Sequence, residues 1–355
     1  MRLEPITAPS PARRFGLPAL ALGSTVLVAM GLALIAGADP LATLGLVARG
    51  AAGSKFALLE TLNRATPLIF TGLAVSVAFR ARLWNIGAEA QLYAGALLTV
   101  VIGTQFGLPG PLALPLMALG AVLAGALVLL GPVLLKTRLG VDEVVTTLLL
   151  NFIMALFISY LLEGPLKDPM GMGWPKSPAL PRDARLPRIV EGLRLHWGFG
   201  LALLSAAAVW VLQTRTTLGY EIRATGLNPE AARFAGIPVG RVLIKTALIS
   251  GGLAALAGFS EVAGLKGNLT ADLSPGFGYT GIVVAMLALL HPLGVIVSAL
   301  FVAGVFVGAD SMSRAAGVPT YIADILLATA LLFMVLAILG SMFDYCIDNS
   351  SGSGL

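Results

Sequence analysis

Charge is scarce in this chain. Asp, Glu, Lys and Arg make up 12% of its 355 residues, about half the share of a soluble domain. The single cysteine, Cys346, excludes an intramolecular disulfide and a thiolate metal cluster. The two histidines, His196 and His291, lack companions at metal-ligand spacing, so no metal site is expected. No G-x-x-x-x-G-K-[ST] loop occurs, so the chain does not cradle ATP phosphates in that way. Acids and histidines do not recur along apolar stretches as a proton relay requires. The acids in apolar surroundings are Glu89, Glu261, Asp324 and the pair Asp142–Glu143.

Apolar residues fill the space that charge leaves: 57% are hydrophobic and the mean hydropathy is +0.91. They lie in long runs. Leu17 to Gly37 and Leu112 to Leu135 each hold more than 18 residues without a charge, enough to span a bilayer as helix. The chain therefore reads as an all-α polytopic membrane protein, a single transmembrane domain over 1–355. Ten spans are expected at 17–37, 65–80, 88–104, 112–135, 143–163, 199–213, 242–263, 279–290, 293–309 and 320–341. The first is read as an uncleaved span rather than a signal peptide. Net charge is +5, and the basic residues gather at span ends rather than in a nucleic-acid patch. The Lys/Arg bias of the short loops puts the N-terminus inside. Ala38 to Arg64 and the proline-rich loop 164–198 are then outside, and 214–241 is inside. The tail 345–355, Ser- and Gly-rich toward its end, reads as disordered.

One stretch interrupts this pattern with polar groups: Leu83-Trp84-Asn85-Ile86-Gly87-Ala88-Glu89-Ala90-Gln91. Polar side chains between membrane-grade segments need a partner, a cavity or a task. Its glycine-framed entry to an apolar helix is repeated at Gly276-Phe277-Gly278-Tyr279-Thr280-Gly281, and Leu139-Gly140-Val141 is repeated at Ala316-Gly317-Val318. Five expected crossings separate the members of each pair, so the two repeats are inverted, an arrangement that places transport sites at the repeat interface. The span 279–290 gives only about 18 Å of helix against a core of ~30 Å. It needs Asn268 to Gly278 to complete it, and Pro275, Gly276 and Gly278 forbid regular helix there. Broken helices near the midplane follow.

The inner loop carries a compact helix with start and stop signals. Asn228 is an N-cap, Pro229 stands at N1, Glu230 complements the dipole, and Gly236 with Pro238 ends it. Fewer than three turns do not hold alone in water, so something packs on it; Ala231, Ala232 and Ala235 allow close approach. The alternative is packing on the membrane or on its own bundle.

Here the residues meet a resemblance. Glu230-Ala231-Ala232-x-x-x-Gly236 resembles the coupling helix of permease subunits in ATP-binding-cassette importers. The stretch 83–91 resembles the L-W-N-I-G-x-E-G-Q signature of the simple-sugar and nucleoside branch of the branched-chain amino acid and ribose permease superfamily. Gly219 to Ala224, Gly236-Ile237 and Ser274 to Gly281 also match. The likeness covers about residues 15 to 340; Ala90 departs from the usual glycine. It implies a bacterial inner-membrane import permease, paired with a second copy or a similar permease. Its partners would be two ATPase subunits, which bind ATP and Mg, and an extracytoplasmic binding protein; the chain itself would hold no cofactor. The substrate would be a nucleoside or a simple sugar.

On this reading Trp84, Asn85, Glu89, Gln91, Asn151, Phe277 and Tyr279 are candidates for the translocation pathway, with Arg80 or Arg82 as salt-bridge partners for Glu89. Trp84 also suits an interfacial anchor, Asn85, Gln91 and Asn151 suit interhelical bonding, and Phe277 and Tyr279 suit stacking on a base or sugar. Asp142 and Glu143 are read as helix-start acids. Arg223, Asn228, Glu230, Ala231, Ala232, Arg233 and Gly236 are candidates for ATPase coupling. Competing readings are a passive channel, a permease for another substrate such as branched-chain amino acids, and a membrane enzyme using Glu89 or Asp142–Glu143. No nucleophile-plus-base arrangement supports the last.

Overall fold

Apolar segments that meet no water must close their hydrogen bonds internally, and here they do so as helices. The computed structural model describes residues 39–190 and 192–316 and scattered parts of 2–37 and 321–346. Asp324 and Gly317-Val318 lie outside the described residues, and spans 17–37 and 320–341 are described only in fragments. The helices are α1 (Pro40–Ala52), α2 (Lys55–Arg80), α3 (Ala88–Gln105), α4 (Gly110–Leu139), α5 (Glu143–Glu163), α6 (Gly198–Arg215), α7 (Thr217–Leu227), α8 (Pro229–Phe234), α9 (Val239–Ser260), α10 (Phe277–Leu287) and α11 (Pro292–Ala316). A π-helical turn, Glu261–Lys266, prolongs α9.

The chain forms two compact units, 1–50 with 305–355, and 51–304. In the first, Gly308 of α11 lies so close to α1 that a Cβ on it would stand 2.5 Å from the Val47 carbonyl oxygen. The same unit holds an antiparallel pair, β1 (Arg2–Pro5) with β2 (Phe343–Cys346). Tyr345 and Cys346, expected in the disordered tail, are thus paired, and 347–355 lie outside the described residues.

The second unit holds the rest. Eight of the ten expected spans meet a helix within it or running out of it, but among the described residues only six helices are long and apolar enough to cross a bilayer: α2, α4, α5, α6, α9 with its π turn, and α11. α10 is too short, at 11 residues, and α3 carries Glu89 and Gln91 in its first turns. The expected outer loop Ala38 to Arg64 is instead mostly helical. Asp39 accepts the Leu41 N–H to start α1, and Ser54 accepts the Ala57 N–H to start α2, ten residues before the expected Ala65.

Burial varies widely among the spanning helices. The apolar window of α2 is 83% buried and that of α5 17%. Small residues set the tightest crossings. A Cβ on Gly125 of α4 would sit 2.2 Å from Gly251 O of α9, and one on Gly258 of α9 would sit 2.0 Å from Leu92 O of α3. Close backbone approach is what drives helices together in lipid, where apolar side chains gain little from leaving the solvent.

From the π turn to the start of α10 the backbone departs from regular α-helix. The loop 164–198 supplies its partners: Leu186 N–H donates to Ala263 O (2.8 Å), Leu180 N–H to Gly267 O (2.7 Å) and Ser177 N–H to Leu269 O (2.9 Å). Leu269 N–H donates back to Ser177 Oγ (2.8 Å). Buried peptide groups that no helix satisfies are satisfied here.

Candidate functional site: a clamp between two broken helices

α3 and α10 each begin after an irregular stretch, 81–87 and 267–276. Their first turns meet. Gly278, the second residue of α10, donates its N–H to Glu89 Oε2 at 2.6 Å, and Glu89 is the second residue of α3. A Cβ on Gly278 would stand 2.2 Å from Glu89 N, so only glycine permits the approach. One carboxylate thus sits at the positive ends of two helices. Each such end favours an anion by about 0.3–1 kcal/mol, and a hydrogen bond to a charged group adds ~1.5–3 kcal/mol. Glu89 binds Gly278, not Arg80 or Arg82, the partners the sequence offered; Arg80 Nε instead donates to Leu290 O at 3.2 Å.

The rest of 83–91 is held from several sides. Asn85 and Gln91 exchange two hydrogen bonds, Asn85 Nδ2 to Gln91 Oε1 (3.0 Å) and Gln91 Nε2 to Asn85 Oδ1 (2.8 Å). Asn85 Nδ2 also donates to Ser250 Oγ (3.0 Å), whose hydroxyl donates to Ala74 O (2.7 Å). Asn151 of α5 accepts the Ala90 N–H (2.9 Å) and donates to Ile86 O (3.0 Å) and to the Tyr279 hydroxyl (3.0 Å). It therefore joins both irregular entries. Glu143 accepts the Trp84 N–H (3.2 Å) and pairs with Lys136, while Asp142 caps α5 at Val144 N. The Tyr93 hydroxyl donates to Ala271 O (2.7 Å) and accepts the Ser274 N–H (3.2 Å), pinning the second irregular stretch to α3.

Exposure divides the candidates. Asn85, Gln91, Glu89, Asn151 and Phe277 are buried, whereas Trp84 is 44% and Tyr279 40% exposed. Trp84 packs edge-on against Phe79, ring centroids 4.7 Å apart. The Phe277 ring is covered by the Arg64 guanidinium, 5.4 Å from its centroid, so a stacking ligand would meet Tyr279 first. Ser250, Tyr93 and Arg64 were not singled out from sequence. Tyr93, two residues past the signature, was the most accessible signal.

The loop 214–241 follows its capping chemistry. Asn228 Oδ1 accepts the Glu230 and Ala231 N–H groups (3.0 and 3.1 Å), and Gly236 stops the turn at φ +85°. Ala232, a coupling candidate from sequence, is buried in the chain's own core, in line with the alternative that α8 packs on its own bundle. Asn228, Glu230, Ala231, Arg233 and Gly236 are exposed, as is Arg223, whose Nη1 donates to Gln213 O at 2.6 Å. Phe234 is 96% exposed, the larger apolar group on that face.

Two helix stops near the clamp break the usual rule. α2 ends with Leu83 N–H on Ala78 O and Arg82 N–H on Phe79 O; α10 ends with Leu290 N–H on Ala285 O and Leu289 N–H on Met286 O. This paired pattern puts one residue in the left-handed region, normally glycine. Here it is Arg82 (φ 52°) and Leu289 (φ 50°), with Leu290 (φ 59°) following. Each costs on the order of 1 kcal/mol that glycine would not. Gly140 and Gly236, at the ends of α4 and α8, show the ordinary choice.

In the loop 164–198 His196 is 1% exposed, packed on Gly264 of the π turn. Its Nδ1 accepts the Gly198 N–H (3.1 Å), which places the proton on Nε2, and burial pushes the imidazole down to about 4.

Residues 57–336 match the family described as "Branched-chain amino acid transport system / permease component". The chain is 38% identical to the glucose ABC transporter permease TsgB13 of Haloferax volcanii, over 90% of this chain and 85% of that one. It is 35% identical to the guanosine ABC transporter permease NupP of Bacillus subtilis, over 89% of each. It is 30% identical to the nucleoside ABC transporter permease NupB of Lactococcus lactis, over 88% and 86%. A helical membrane bundle with a polar clamp between broken helices, matched along most of its length, places the chain in the branched-chain amino acid transport permease family, on the side of its sugar and nucleoside permeases.

Proposed function

We propose that the chain is the membrane-spanning subunit of an ATP-binding-cassette importer for nucleosides. It performs no chemistry of its own; ATP and Mg belong to partner ATPases, which dock on α7–α8. A second permease, a copy or a similar chain, completes the pathway, and an extracytoplasmic binding protein delivers substrate to the face of the loop 164–198. The N-terminus is cytoplasmic and the membrane is the bacterial inner one.

The observation that carries this reading is the Glu89–Gly278 clamp, built from the two stretches that the sequence reading pairs as inverted repeats. A contact between the first turns of two half-helices is a point that can open and close. Trp84 and Tyr279, the exposed aromatics beside it, give a base or sugar a surface to slide over without holding it. The apolar Phe234 and the capped α8 give the ATPases a rigid knob to move. The 38% identity to a glucose permease keeps a simple sugar as the second reading.

The test is uptake into proteoliposomes that contain the chain with its partner subunits. Labelled guanosine should enter on ATP addition, and excess unlabelled nucleoside should compete better than glucose or ribose. Glu230→Arg should abolish ATP-driven uptake. Full uptake without ATP, or in that variant, would leave a passive facilitator as the better description.

A further inference from the structure

The two strained stops lie on either side of one side chain. We infer that Arg80 is the positioning residue that ties the cytoplasmic loop to both halves of the clamp, a reading that rests on the coupling role proposed above. Three contacts meet at this residue. Its carbonyl oxygen receives Gly226, near the end of α7, so closely that a Cβ there would stand 1.9 Å away. Its Nε–H donates to Leu290 O, directly after the left-handed Leu289 that ends α10. Its own chain passes through Ala81 and the left-handed Arg82 into the stretch that carries Asn85 and Glu89.

A displacement of α7–α8 therefore reaches both gate halves through Arg80. One route is backbone, through Arg82 to the start of α3. The other is the guanidinium bond, through Leu290 to the end of α10 and up that helix to Gly278. Backbone packed on backbone at Gly226 has no flexible side chain to absorb movement. The stops it acts on hold left-handed conformations that only their surroundings maintain, the kind of element that has two settings. Arg223, the neighbouring arginine of α7, is engaged elsewhere, on Gln213 O. Arginine suits the place because its Nε–H points in a fixed direction from a planar group, which lysine cannot reproduce.

The experiment compares ATP hydrolysis with uptake in the reconstituted complex. Arg80→Ala should keep its ATPase rate and its thermal midpoint in detergent. Its uptake per ATP should fall about tenfold, the equivalent of one charge-assisted hydrogen bond. Arg80→Lys should recover part of the ratio. An unchanged ratio in Arg80→Ala overturns the inference. So does a parallel fall of ATPase rate and thermal midpoint, which would make Arg80 a plain structural cap. Leu289→Gly gives the second arm: glycine accepts φ 50° without strain, so the fold should survive while the stop loosens and the ratio falls. An unchanged ratio there also counts against the inference. A wild-type complex that hydrolyses ATP without uptake would fail earlier, on the coupling reading itself.

Discussion

Replacing Glu89 tests whether the signature stretch is a clamp or a substrate contact. The carboxylate accepts the Gly278 N–H at 2.6 Å, from its place in the first turn of α3 to the first turn of α10. Glu89→Gln keeps an acceptor for Gly278 but removes the charge from two helix ends. That gives up about 0.6–2 kcal/mol from the two dipoles and ~1 kcal/mol from the weaker hydrogen bond, offset in part because a buried charge is removed. Glu89→Ala also leaves the Gly278 N–H buried without a partner, adding ~1–3 kcal/mol. The order of thermal midpoints in detergent should therefore be wild type, then Gln, then Ala, with uptake falling in the same order. Gly278→Ala should do comparable damage from the other side, since its Cβ would stand 2.2 Å from Glu89 N. The double variant should lose less than the sum of the two, because both remove the same contact. If Glu89→Gln and Glu89→Ala unfold at the wild-type temperature yet abolish uptake, the carboxylate is a ligand group and the clamp argument fails.

Two further outcomes follow from the packing. Gly251→Leu must push α9 off α4, where a Cβ alone would lie 2.3 Å from Gly125 O, and should cost several kcal/mol, read as loss of folded protein after detergent extraction. Loss of less than ~1 kcal/mol would mean that the crossing is not tight. His196 gives a pH dependence. Burial holds it at about 4 in the folded chain, below the ordinary 6.5 of histidine, so the unfolded chain takes up the proton first. Stability from this group is complete above 6.5 and is lost as pH falls toward 4, about 2 kcal/mol between pH 7 and 5. His196→Asn should flatten the dependence of the thermal midpoint over that window; an unchanged slope would assign it to other groups.

Much of the helix layout was legible because its punctuation is chemical. Gly140 and Asp142 mark the turn between α4 and α5, and Asn228, Pro229 and Gly236 mark α8 within a residue or two. The start of α2 was misread because Glu60, Asn63 and Arg64 look like loop residues, while the cap that decides the matter is Ser54. Burial was not legible. In water a helix announces its inner face by polarity, but a lipid-facing helix is apolar all round. α2, 83% buried, differs from α5, 17% buried, only in being less apolar (mean hydropathy 1.3 against 2.1), which reads from sequence as a poorer span rather than a buried one.

The clamp was half legible, for a related reason. Side chains declare chemistry, so Glu89 was seen, and a cation was sought for it. Its partner is a backbone N–H at Gly278, a residue with no side chain to notice, chosen for what it leaves out. The same logic sorts the pathway candidates. Asn85, Gln91 and Asn151 have bonds to protein on both their donor and acceptor atoms, so a substrate that engaged them would have to break what holds the two irregular stretches in place. Trp84 and Tyr279 are the signature-region groups with surface to spare. A permease supplied by a binding protein gains nothing from holding its cargo tightly. A polar signature spent on shaping the gate, beside two exposed aromatic faces, is therefore what the transport reading requires.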